Sequence, residues 1–187
     1  SLRLFESGVL SQSGLDDPLR VDAASLQALT PEILAMEFQV SQSNQLLGLE
    51  DRAKLLNRLG DTLLKQKHIF EAEGTFRPGN LFDYLTRSQV TGVLEARDIL
   101  IAVLQGMGEI WPDGSWIDNV AIGDAGYHEV VKRSDITDGI VPFHKLSQWM
   151  SYSLIEPLQE AGFKVNNLDA LTGLAEYRNG GLFIDTK

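Results

Sequence analysis

Six consecutive positions late in the chain hold a carboxylate, a phenol, a guanidinium, an amide and two glycines: Glu176, Tyr177, Arg178, Asn179, Gly180 and Gly181. Leu174 before them and the apolar residues 182–184 after them would pin this segment into a core. A charge drawn into a core persists only when paired or hydrogen-bonded, and groups held that way often line a site. Two readings follow. In one, Glu176 and Arg178 form a structural ion pair beside a buried tyrosine. In the other, Glu176 is a general base or stabilises a cation, and Arg178 holds an anion or a planar urea-like group. Asn179, Gly180 and Gly181 permit left-handed backbone and close approach of a ligand.

His144 is the second catalytic candidate, weighed against a capping or packing role in the first turn of a helix. His68 lies on the polar side of its helix and reads as surface, while His128 follows a Gly-rich loop and is open to either reading. The three histidines show no metal-ligand spacing, so no metal and no cofactor is expected. Asp113, Asp118 and Asp124 lie in a loop with Trp111 and Trp116. Asp beside Gly favours tight turns through local side-chain bonds; the alternative is a lid whose tryptophan stacks on a ring and whose Asp124 binds hydroxyls. Asp169 reads as a helix cap. Gly106-Met107-Gly108 is no dinucleotide fingerprint, and neither a nucleophile elbow nor a phosphate loop is present.

Composition narrows the function classes. The chain has 187 residues, 43% of them hydrophobic, and a net charge of −10. That is enough apolar material for a real core. The acidic balance argues against a nucleic-acid partner, which needs a basic face. Without cysteine there is no thiolate nucleophile and no disulfide. No apolar run is long enough for a membrane span, and the expectation is a soluble, cytoplasmic protein.

The elements that must position these residues follow a helical period. Helices are expected near 31–40, 50–70, 89–107 and 143–161, in one mainly α, multi-helical globular domain over residues 1–187 with few short strands. Asp22 caps a short helix, and Thr30-Pro31 is a strong helix start. Leu55, Leu59, Leu63, Leu94, Leu104, Leu146, Trp149, Met150 and Leu154 are the expected core, with Val93 and Ile101 also inward. Gly60 weakens its helix by about 1 kcal/mol against alanine. Residues 74–80 make a turn. Residues 106–127 form a long Gly- and Trp-rich loop. Pro157 should kink its helix, and Gly162 caps the C-terminus. Residues 181–185 (GLFID) are the best strand candidate.

Several of these segments together carry a resemblance. FQVSQSNQLLGLEDR, RPGNLFDYL, GEIWPDGSWIDN, IGDAGYH, VPFHKLSQWMSYSLIEPL and LTGLAEYRNGGLFID resemble the uracil catabolism protein 4 family over nearly the whole chain. Members of that family are longer, which implies that this chain is a middle-to-late portion of such a protein. The family serves a pathway that degrades uracil through ribosylurea-type intermediates. LTGLAEYRNGG is also similar to an acidic-Tyr-Arg segment of queuosine-salvage N-ribosyl hydrolases, which are helical and distantly DNA-glycosylase-like. Those have aspartate where this chain has Glu176, so the carboxylate sits one methylene further out. The resemblance implies a small nucleoside- or ribosylurea-like substrate and hydrolysis of its ribosyl C–N bond. Glu176 would meet the positive charge on the sugar, Arg178 would hold a 5′-phosphate or the urea group, and Trp111, Tyr177 or Asp124 would clamp the ring or hydroxyls. Two other classes stay open: a non-catalytic partner of a pathway enzyme, and a metal-assisted amidohydrolase.

Overall fold

The computed structural model describes residues 2–87, 91–174 and 186. The chain divides into two compact units: Ser1–Ser88 with Gln105–Pro112, and Gln89–Leu104 with Asp113–Lys187. Helix dominates. Among the described residues the strands are two or three residues long and form four separate two-stranded pairs.

In the first unit, α1 (Leu2–Glu6), α2 (Ala23–Gln27) and α3 (Pro31–Glu37) lead to α4 (Leu49–Lys65) and α5 (Lys67–Phe70). The expected caps form. Asp22 accepts from the Ser25 amide at 3.0 Å, and Thr30 Oγ1 accepts from the Ile33 amide at 3.3 Å, with Pro31 opening the helix. The α3 helix ends at Glu37, short of residue 40, and Gln39 turns to φ 56. Gly60 has a packing reason that offsets its low helix propensity. A Cβ there would stand 2.7 Å from the Ala23 carbonyl oxygen, so the glycine lets α2 lie directly on α4. Asn57 holds the same junction from its side chain, donating to the carbonyls of Leu26, Gln27 and Leu29. A hairpin follows, β1 (Glu71–Ala72) against β2 (Thr75–Phe76), turning at Glu73 and Gly74, both at positive φ. The α6 helix (Asn80–Thr86) then begins, and Asn80 donates to the Phe70 and Thr75 carbonyls. Leu26, Leu34, Leu63, Ile69, Phe70 and Leu81 form this unit's core.

The second unit corrects two expectations. The stretch expected as one helix over 89–107 divides: residues 93–95 form β3 (Val93–Glu95), and α7 runs over Ala96–Met107. A strand alternates faces, so Leu94 is buried while Val93 is half-buried. The later start also shifts the inward face. Ile99, Ala102 and Val103 are buried, while Ile101 and Leu104 are half-buried. β3 pairs in parallel with β8 (Lys164–Asn166), Leu94 opposite Val165.

The loop region carries two further hairpin pairs: β4 (Trp116–Ile117) with β5 (Val120–Ala121), and β6 (Gly126–Tyr127) with β7 (Ile140–Val141). Asp118 and Asn119, both at positive φ, make the two-residue turn between β4 and β5. The last helix, α8, spans Lys145–Glu160 and stays continuous through Pro157. Gly162 caps it at φ 92, and the Phe163 amide donates back to the Leu158 carbonyl. Asp169 is no helix cap. It lies inside a single 3-10 turn, Leu168–Ala170, which Asn167 precedes at φ 54.

The inward face of α8 is not the expected one. Leu146 is 45% and Trp149 50% exposed, and Met150 and Leu154 are half-buried. Ser147, Gln148, Ser151 and Leu158 are buried instead. Polar groups are buried cheaply when their hydrogen bonds are met. Ser151 Oγ donates to the Ser147 carbonyl at 2.8 Å, and Gln148 Nε2 donates to Thr172 Oγ1 at 2.9 Å. The expected leucines of α4 also divide, with Leu63 buried and Leu55 and Leu59 half-buried. Leu63→Ala is therefore expected to lower stability by about 2–5 kcal/mol, whereas Leu146→Ala lowers it by less than about 0.5 kcal/mol. Urea denaturation of both variants checks the faces, and equal losses would contradict them.

Candidate active site

Two of the sequence candidates, Asp124 and His144, come together in the second unit. The β6–β7 pairing sets Gly126 opposite Val141 and so runs the chain after Asp124 beside the chain leading into α8. Ser115 fixes the approach: its amide donates to the Gly123 carbonyl at 3.0 Å and its hydroxyl to the Ala125 carbonyl at 2.8 Å. Asp124 is held between those two residues.

From there Asp124 acts on the first turn of α8. Its carboxylate accepts the Leu146 amide at 2.5 Å, the Ser147 amide at 3.3 Å and the Ser147 hydroxyl at 2.5 Å. A helix start leaves amides without intrahelical partners, and here a carboxylate 22 residues before Leu146 supplies them. His144 takes the cap position with left-handed backbone, φ 44. Its amide donates to the Asp124 carbonyl at 3.1 Å, and its Nδ1 lies 3.7 Å from Asp124 Oδ1. The imidazole is 16% exposed, while its Nδ1 is fully buried.

Burial pushes the Asp124 carboxyl up, but the neighbouring His144 imidazole and hydrogen bonds from the Ser147 hydroxyl and the Leu146 and Ser147 amides outweigh it and hold the group below the usual carboxylate range. Asp124 is thus ionised near neutral pH and faces the buried side of the imidazole. A carboxylate beside one ring nitrogen favours the proton there and orients the ring. The chemistry open to this arrangement is proton transfer at the rest of the His144 ring. Ser147 is unsuited to be a nucleophile: it is 1% exposed and its hydroxyl is given to Asp124.

The other candidates are placed as follows. Glu176, Tyr177, Arg178, Asn179 and residues 181–185 lie outside the described residues. Trp111 belongs to the first unit, half-buried after the 3-10 turn Gly108–Ile110, with its Nε1 buried and without a hydrogen-bond partner among the described residues. His68 is exposed, edge-on to Tyr84. His128 is exposed, and its Nδ1 accepts the Val130 amide at 3.1 Å. Among the described residues no group of three His, Asp or Glu side chains could hold a metal ion, and no helix is long and apolar enough to cross a membrane. Sequence reasoning missed Ser115 and Ser147. The one signal was for Ser147, three positions after His144 and next to Leu146 of the stripe read as apolar.

A sequence profile described as protein of unknown function (DUF1688) matches residues 1–187. Uracil catabolism protein 4 of Lachancea kluyveri is 42% identical over 196 residues, which cover 99% of this chain and 44% of that protein. Protein urg3 of Schizosaccharomyces pombe is 41% identical over 190 residues, covering 99% of this chain and 43% of its own length. The chain therefore spans less than half the length of these curated relatives. No solved structure matches it significantly.

Proposed function

The chain belongs to the family described as protein of unknown function (DUF1688), and from that membership we propose that it serves uracil catabolism by hydrolysing the N-ribosyl bond of a ribosylurea-type intermediate. The name of the relative from Lachancea kluyveri supports the pathway. The observation that carries the chemistry is the ionised Asp124 set 3.7 Å from the buried nitrogen of His144. An imidazole held in one orientation beside a carboxylate suits a general acid or base.

In this reading the bond from the anomeric carbon to the urea nitrogen breaks as water adds to that carbon. The products are urea and ribose, or ribose phosphate. Glu176 meets the positive charge that grows on the sugar and takes the proton of the attacking water. His144 delivers a proton to the departing nitrogen, and Asp124 keeps the ring in register. The Asp124 carboxylate already holds three donors at the start of α8, so its part runs through His144 in preference to binding a sugar hydroxyl. Arg178 and Asn179 hold the phosphate or the urea, and Tyr177 flanks the ring. The reaction class joins the chain to the helical N-ribosyl hydrolases that its late segment resembles.

The test is a product assay for urea and free reducing sugar on ribosylurea and on its 5′-phosphate, using a family-length protein. Urea release from either substrate supports the reading, and the faster one identifies the substrate. A second reading, a non-catalytic partner of another pathway enzyme, draws on the exposed Phe143, Leu146 and Trp149 at the start of α8. It predicts no urea from the pure protein with either substrate.

A further inference from the structure

We propose that the first compact unit carries a binding site for a small organic anion, built around Arg20 and separate from the chemistry assigned to His144. A cavity of about 450 Å³ opens there, a size typical of small-molecule sites. One wall is the loop from Leu10 to Asp22. Asp22 ties it shut: its amide donates to the Leu10 carbonyl at 3.1 Å, and its carboxylate accepts the Gln12 amide at 2.6 Å and the Ser25 amide at 3.0 Å. The loop so closed turns Gln12, Ser13 and Arg20 to the cavity. The opposite wall is the β1–β2 hairpin, which presents Thr75 and Phe76, and Leu64 of α4 adds apolar surface. The hairpin is braced, since Thr75 Oγ1 donates to the Ala72 carbonyl and Asn80 holds the Thr75 carbonyl.

The charge distribution points to the ligand. Arg20 is half-buried, and among the described residues its guanidinium meets no carboxylate and makes no hydrogen bond. That is unexpected in a chain with 26 acidic against 16 basic residues. A guanidinium drawn partly out of water gains most from an anion. Asp22, the other charge in the lining, does not serve. It is 6% exposed and engaged by the Gln12 amide of its own loop and the Ser25 amide of α2. A planar guanidinium takes a carboxylate or a phosphate in two parallel bonds. Beside it, Phe76 and Leu64 suit a flat or apolar body, and Gln12 and Ser13 add donors and acceptors. The ligand class is therefore an organic carboxylate or phosphate monoester with a small apolar body.

Calorimetric titration of the full chain with phenyl phosphate, benzoate, benzyl alcohol and inorganic phosphate tests this. Expected is binding of phenyl phosphate or benzoate, the tighter of the two identifying the head group, with benzyl alcohol and inorganic phosphate at least about tenfold weaker. Arg20→Gln weakens the organic anion by about tenfold or more, and Arg20→Lys, which keeps the charge but not the fork, by less. Because the Arg20 guanidinium meets no partner among the described residues, Arg20→Gln leaves the melting temperature without ligand unchanged. The proposal is overturned if neither organic anion binds, if Arg20→Gln binds it as well as the parent, if inorganic phosphate binds as tightly as phenyl phosphate, or if Arg20→Gln lowers the melting temperature without ligand.

Discussion

Asp124→Ala is expected to lower stability by about 2–4 kcal/mol, combining the loss of a helix cap with the loss of a partner for a buried hydroxyl. The Leu146 and Ser147 amides lose their acceptor, and the Ser147 hydroxyl has no water to turn to. Asp124→Asn keeps one carbonyl oxygen and costs less. The same site fixes a pH dependence. The Asp124 carboxyl is held below its usual range in the folded chain, so the unfolded chain binds the proton more readily. Its contribution is fully present above the unfolded value, about 4, and is lost as pH falls through the lower folded value. The stability gap between parent and Asp124→Asn, read from urea midpoints, is therefore constant near neutrality and narrows in acid. A gap that stays constant down to the acid transition would show that the carboxylate is not what holds the start of α8.

Local signals were legible, and long-range ones were not. The caps at Asp22 and Thr30, the proline at position 31 and the terminator Gly162 each act within a few residues, and each formed as expected. The β3 strand has no such local cause: its partner β8 lies far along the chain, and the apolar run through 93–104 suits a helix equally well. On α8 the period was read correctly but the face was not. Counting apolar residues cannot show that Ser147, Gln148 and Ser151 will find partners in Asp124, Thr172 and the helix backbone. The same limit applies to the site. Asp124 and His144 each stood out by type, but their meeting depends on the two-residue pairing of β6 with β7. Arg20 gave no signal, because an arginine in a loop becomes informative only when it is seen beside a cavity, its guanidinium without a partner among the described residues.

Glu176→Gln is expected to lower turnover on the ribosylurea substrate by roughly a hundredfold or more while leaving substrate binding nearly intact, because its charge opposes a positive charge that exists only in the transition state. Arg178→Ala should behave differently. A phosphate or urea group is in place before the bond breaks, so this variant raises the substrate dissociation constant and changes turnover less. His144→Gln, which keeps hydrogen bonding but cannot carry the proton, should reduce turnover and flatten the pH profile. A purely structural role predicts another pattern: breaking an ion pair between Glu176 and Arg178 leaves one charge uncompensated, so both variants would lose melting temperature together. Melting temperature, dissociation constant and urea release measured on the same three variants separate the outcomes. Loss of folding in Glu176→Gln, or turnover unchanged by it, removes the catalytic assignment, whereas unaltered melting with the expected kinetic split places Glu176 and His144 on the reacting bond.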